Sequence, residues 1–164
     1  MPLRPITAAS GALLAFALLA APPARAQATG PFAVLAGSWS GTGTVNTKDG
    51  LHERVKCLAK YVSEKAGNSL ELDLRCASDS YKVEFSSSIV QSGGSLSGTW
   101  IERTRHVGGS ISGKTSGNQF NVRASGDTFT ALLNVTTQGT RQTFVMDSPG
   151  AYVPHFSIGL NRAK

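Results

Sequence analysis

From about residue 38 onward, apolar and polar positions alternate with period two in run after run. The clearest case spans residues 51–80. Leu51, Val55, Cys57, Ala59 and Tyr61 share one parity, and His52, Arg54, Lys56 and Lys60 share the other. That spacing describes a half-buried strand. The return run repeats it, with Leu70, Leu72, Leu74 and Cys76 on one face and Glu71, Asp73 and Arg75 on the other. Residues 63–68 between them end in Gly67-Asn68, which suits a tight reversal. Antiparallel partners keep a constant index sum. Pairing Tyr61 with Leu72 therefore sets Ala59 opposite Leu74 and Cys57 opposite Cys76. The chain holds two cysteines, and this register brings them together on the apolar face, so a disulfide is expected.

The rest of the chain reads the same way. Pro31 to Gly37 can form one helical turn, with Pro at its start and Gly at its end. Ser38 to Asn46 is a Gly- and Thr-rich first strand, followed by an Asp-Gly turn at Asp49-Gly50. Tyr81, Val83, Phe85, Ser87 and Ile89 mark a long fourth strand. Shorter runs follow at Leu96 to Trp100, Ile111 to Gly113, Phe120 to Ala124, Phe129 to Val135, Phe144 to Met146, and Phe156 to Leu160. Turn residues separate them, and no long run has helical spacing. Nine or ten short strands joined by short turns predict an all-β fold. The simplest solution is an up-and-down antiparallel β-barrel of about eight to ten strands, because closure removes exposed edges; a β-sandwich is the alternative. The form G-S-apolar-S-G occurs at residues 37–41, 94–98 and 109–113. Glycines placed so within strands suit bulges and sharp bends, and these are read as curvature devices.

The first residues alter the picture of where the protein works. Arg4, the apolar run from Ala8 to Ala21, Pro22-Pro23 and then Ala24-Arg25-Ala26 describe a signal peptide over residues 1–26, cut before Gln27. The run is too short for a spanning helix, and no similar run follows. Residues 27–164 then form a single barrel domain that is periplasmic or secreted. An exported chain keeps its disulfide, worth about 3 kcal/mol for a loop of this length. The full chain has a formal net charge of +6. The leader holds two arginines and no acid, which leaves fourteen Lys and Arg against ten Asp and Glu. That mild excess compels no particular partner.

Residues that could carry chemistry are few. His52, His106 and His155 are scattered, and both cysteines belong to the bridge, so the ligand count for a metal fails. The segment GSWSG places Trp39 where a nucleophile elbow needs serine. Asp49, Asp79, Asp127 and Asp147 sit near turns, a common use of aspartate. There is no phosphate-binding loop and no dinucleotide fingerprint. The chain therefore reads as non-catalytic and without a cofactor. Arg54, Lys56, Lys60, Arg75 and Lys82 lie on outward positions, with Glu53, Glu71, Asp73 and Glu84 interleaved. A solvated mixed-charge face is the plain reading. Weak contact with anionic envelope polymer or lipid headgroups is the other. Exposed aromatics interleaved with the bases are missing, which speaks against nucleic acid.

Two tryptophans remain. Trp39 follows a helical turn at the start of the first strand and reads as a plug for one barrel end. Trp100 is flanked by Gly and Ser positions that leave room beside it, as in a ligand wall. A helical turn, then G-x-W on the first strand, a meander of strands and an Arg after the last one resembles the lipocalin and calycin group. The matching positions are Gly37, Trp39 and Arg162. The resemblance implies that Trp39 and Arg162 pack together to close the barrel base, and that the interior holds a small apolar ligand. Candidate lining residues are Tyr61, Leu72, Phe85, Trp100, Phe120, Leu133 and Phe144. The competing expectation is a structural or interaction protein of the cell envelope with a packed, ligand-free core, since small barrels can be filled by their own side chains.

Overall fold

The computed structural model describes residues 29–164. The signal peptide read over residues 1–26, and its cut before Gln27, lie outside the described residues. Ten antiparallel strands run in chain order: β1 (Gly37–Asn46), β2 (His52–Glu64), β3 (Ser69–Ala77), β4 (Lys82–Ser92), β5 (Ser95–Glu102), β6 (Val107–Ser116), β7 (Gln119–Gly126), β8 (Thr130–Gln138), β9 (Arg141–Asp147) and β10 (His155–Arg162). Each pairs with the next, and β10 pairs back onto β1 from Trp39↔Arg162 to Asn46↔His155. The result is a closed up-and-down barrel, so the sandwich alternative falls away. Closure leaves no strand with a free row of N–H and C=O groups.

Period-two patterning produces this arrangement directly. Val55, Cys57, Ala59 and Tyr61 of β2 and Leu70, Leu72, Leu74 and Cys76 of β3 are buried, while the residues between them face solvent. Their register is Cys57↔Cys76, Ala59↔Leu74 and Tyr61↔Leu72. The cysteines are joined, with Cα atoms 4.1 Å apart. Glu53 departs from the outward set described above. It shares the parity of Val55, pairs with Val45 at the top of β1, and accepts hydrogen bonds from the Ser78 and Ser80 hydroxyls. Its position at the barrel end lets an inward-parity carboxylate reach the loops instead of the core.

Four glycines of the repeated G-S-apolar-S-G form, Gly41, Gly98, Gly109 and Gly113, stand where neighbouring backbones come too close for a side chain. A Cβ on Gly41 would lie 1.9 Å from the Gly159 carbonyl oxygen, and one on Gly98 would lie 2.0 Å from that of Ser88. No rotamer relieves a clash with backbone, so these positions permit the tight coiling that closes ten strands around a narrow interior.

The two ends of the barrel differ. At one, a 3-10 turn, Pro31–Val34, lies across the opening. Phe32 stacks on Phe120 at 5.6 Å between ring centroids, and Leu35 is buried beside it. The Trp39 indole N–H donates to the Leu35 carbonyl at 2.8 Å. Arg162 lies over the Trp39 ring at 4.3 Å and donates to the carbonyls of Ala36 and Val34. The backbone N–H of Gly30 donates to Ala66 O at 2.7 Å, tying this turn to the β2–β3 connection. At the other end stand the connections 47–51, 78–81, 103–106, 127–129 and 148–154, with no helix across them among the described residues.

Candidate functional site

The closed half of the interior is filled. Tyr61 donates to Gln142 Oε1 at 2.7 Å, and Gln142 Nε2 donates to Thr137 Oγ1 at 3.1 Å, a buried polar chain next to the base. Burial pushes the Tyr61 hydroxyl far above its ordinary pKa, so it stays a donor. Phe144 meets Phe156 edge-on at 6.3 Å. Among Tyr61, Leu72, Phe120, Phe144 and their neighbours only about 50 Å3 of free space remains. Four of the seven lining candidates thus surround a gap too small for an organic ligand. Phe32 and Leu35, reaching in from the 3-10 turn, occupy the rest.

Ser87 lies in that filled half, facing the same gap. Its Oγ is buried and has no hydrogen-bond partner among the described residues. A buried hydroxyl without a partner costs about 1–3 kcal/mol. Ser87→Ala is therefore expected to raise the unfolding free energy by about 1 kcal/mol, measured by urea denaturation. A loss of stability would show that the hydroxyl has a partner in solution.

The open half holds a cavity of about 470 Å3. Phe85, Trp100 and Leu133, the other three candidates, line it together with Tyr81, Val83, Ala124, Phe129, Ala131, Met146 and Val153. Phe85 and Trp100 stack with centroids 5.9 Å apart, and Phe129 tilts against Trp100 at 5.5 Å. The Trp100 N–H is turned to Ser125 O at 3.3 Å. Phe85, Ala124 and Leu133 also border the small gap below, so they form the cavity floor. A larger hollow of about 590 Å3 lies on the outer wall and presents Lys114, Asn121, Arg123, Asn134 and Asp147, a solvated surface.

Loops shape the rim. Tyr152 donates to Asp49 Oδ2 at 2.9 Å, and Lys48 N donates to Tyr152 O at 2.8 Å, so the β9–β10 connection is pinned to the β1–β2 turn. Ser148 Oγ donates to Thr130 O at 3.0 Å. On another side, Glu102 at the end of β5 points inward. Burial raises its pKa, but hydrogen bonds from Thr104 and from the backbone N–H groups of Glu84, Thr104 and Arg105 outweigh that and hold it below the ordinary value. The carboxylate stays charged and organises the 103–106 turn. Arg105 lies over the Tyr81 ring at 5.1 Å. Glu102 shares the parity of Leu96 and Trp100, and a carboxylate on an inward parity is the sequence signal that marks this rim.

The histidines are elsewhere. His52 contacts Asn46 at 2.8 Å and His155 contacts Asp147 at 2.6 Å, both on outer positions, while His106 sits in the exposed 103–106 turn. Among the described residues no group of three or more His, Cys, Asp or Glu could hold a metal, and no helix is long and apolar enough to cross a membrane. The bases Arg54, Lys56, Lys60, Arg75 and Lys82 are exposed on β2–β4. The acids among them are engaged: Ser88 donates to Glu71 and Ser86 to Asp73, both at 2.6 Å, and Lys82 pairs with Glu84 at 2.9 Å.

A closed meander plugged at one end by a turn, a tryptophan and an arginine, and hollow at the other, is a calycin-like up-and-down β-barrel. Two solved structures are similar to it. One is Rv2717c from M. tuberculosis, with a TM-score of 0.64 and 10% identity over 80% of this chain and 94% of that one. The other is the S-type phycobiliprotein lyase CPES from Guillardia theta, with a TM-score of 0.57 and 9% identity over 81% of this chain and 90% of that one. At such identity the likeness concerns the fold. No family model matches the chain, and a search of curated proteins finds no match.

Proposed function

We propose that this protein is an exported, non-catalytic barrel that carries a small apolar ligand in the mouth half of its interior. The observation behind the reading is the 470 Å3 cavity walled by Phe85, Trp100, Phe129, Leu133 and Met146. Small-molecule sites are concave, mostly apolar, and roughly 300–1,000 Å3 in volume. A ligand-free envelope protein would have no use for such a hollow, and the filled lower half shows that this sequence can pack an interior where packing is wanted. The non-catalytic part rests on the rim: the Ser148 hydroxyl is turned to a backbone carbonyl, and the Glu102 carboxylate is engaged by backbone N–H groups. Export is supported by the leader and by the Cys57–Cys76 bridge, which persists in an oxidising compartment. Contact with anionic envelope components through the bases of β2–β4 would be weak and salt-sensitive.

Native mass spectrometry of protein purified from its host should show an adduct, and the uncharged dye phenylnaphthylamine should bind and compete with it. Ala131→Phe places a ring in the cavity and is expected to abolish dye binding with far-UV circular dichroism unchanged. Repeated bare masses together with no dye binding would sink the ligand reading.

A further inference from the structure

Resting on that reading, we propose that the cavity takes a flat, apolar ring system bearing one negative group, and that Arg105 receives the group at the rim. Two charged side chains line the cavity, Glu102 and Arg105, and they are unequally placed. The Glu102 side chain is 8% exposed and that of Arg105 is 41% exposed. Glu102 is shielded by N–H groups at 3.1 Å from Glu84, 3.0 Å from Thr104 and 2.8 Å from Arg105, and by the Thr104 hydroxyl. The Arg105 guanidinium makes only long contacts, all through Nη1: 3.5 Å to Glu102, 3.4 Å to Thr104 Oγ1 and 3.5 Å to Lys82 O. Good N–H···O bonds are shorter than this, about 2.7–3.2 Å. Among the described residues its Nε and Nη2 make no hydrogen bond within 3.5 Å, and the Tyr81 side chain is the other neighbour with which the guanidinium interacts. A molecule entering the mouth therefore meets an available cation and a covered anion. The guanidinium fork matches the paired oxygens of a carboxylate or sulfonate, and the Tyr81 ring 5.1 Å away supports its plane.

The ring preference comes from the wall. Phe85, Trp100 and Phe129 are contiguous, at 5.9 Å and 5.5 Å between centroids. Aromatic faces and edges favour a flat π-system beyond the area it buries. The cross-strand partners Ala124 and Ala131 present only methyl groups and leave room beside the rings.

The test compares two dyes with one ring skeleton: anilinonaphthalene sulfonate, which is anionic, and phenylnaphthylamine, which is not. Fluorescence titration of the wild-type protein should give about tenfold tighter binding of the sulfonate. Arg105→Gln should weaken sulfonate binding about tenfold and leave phenylnaphthylamine unchanged, which also shows that the pocket is intact. Arg103→Gln removes the same charge from the same turn at a residue that pairs with Asp73 outside the cavity, and should leave both titrations as they are. Equal binding of the two dyes, no effect of Arg105→Gln, or an equal loss from both variants overturns the role of Arg105 while the ligand-carrying reading stands. Failure of the wild-type protein to bind either dye, together with bare masses in native mass spectrometry, overturns the ligand-carrying reading itself.

Discussion

Replacing Trp39 by alanine is expected to destabilise the protein by about 4 kcal/mol, in the range for deleting a buried indole. The ring is 1% exposed. It meets Tyr61 edge-on at 6.4 Å, carries Arg162 on its face at 4.3 Å, and holds Leu35 through its N–H at 2.8 Å. Its loss removes more than packing. Arg162 loses the surface that aims it at the Ala36 and Val34 carbonyls, so the turn across the base loses two restraints at once. A domain of this size is stable by about 5–15 kcal/mol in all, so the variant should unfold at much lower urea concentration. In the fraction that stays folded, phenylnaphthylamine affinity should match the wild type, because the ring lies at the end away from the cavity. A loss below about 1 kcal/mol would contradict this account of the base.

Removing the disulfide is the second large effect. Cys57 and Cys76 are 19 residues apart in sequence, and a bridge closing such a loop contributes about 3 kcal/mol by restricting the unfolded chain. The sulfurs face the core, and both residues are almost fully buried. They fill space there as well as forming a bond. The bridge also holds a register in which slipping by one residue would turn Leu70, Leu72 and Leu74 to solvent. Cys57→Ser with Cys76→Ser should therefore lower the unfolding free energy by about 3 kcal/mol, and reductant should have little further effect on that variant. Burial should make reduction of the folded wild type slow, consistent with a structural and not a redox role. Unfolding curves that coincide with and without the bridge would refute this. So would peptide mapping that finds two separately alkylated cysteines.

These two sites were legible in the sequence for different reasons. The hairpin could be read because strand periodicity is two: once Tyr61 faces Leu72, every other pair follows, the cysteines included. Trp39 could be read as a plug from its place after the helical turn, but its contact with Arg162 only through a resemblance, since nothing in the spacing of Gly37, Trp39 and Arg162 says that residues more than a hundred positions apart will stack. The cavity was legible in part. Parity identifies Phe85, Trp100 and Leu133 as inward, but it says the same of Tyr61, Leu72, Phe120 and Phe144. Which inward residues border free space depends on depth along the barrel axis, and depth is set by the end that Phe32 and Leu35 enter. Parity is silent on that. The rim was hardest, because Tyr152 and Val153 come from the long β9–β10 connection, where no period applies, whereas Phe129 continues the parity of Ala131 and Leu133. Glu102, like Glu53 on β2, carried a local sign as a carboxylate on an inward parity.

The pairing of β1 with β10 has a consequence for how the molecule comes into being. Synthesis runs from the first strand to the last, so β1 is made early and its outer edge stays bare until residues 155–162 arrive. Strands β2 to β9 each find both partners among their immediate neighbours in sequence. The first strand alone must wait for nearly the whole chain, and its contact with β10 spans the largest sequence separation in the fold, the kind that forms slowly. During that interval β1 is an unpaired edge able to accept a strand from another copy. Its glycines, Gly41 and Gly43, make it a poor template for such pairing, because glycine is depleted in strands and offers a foreign strand nothing to pack against. The composition that lets β1 bend into a closed wall also keeps it unattractive to the wrong neighbour while the wall is still open.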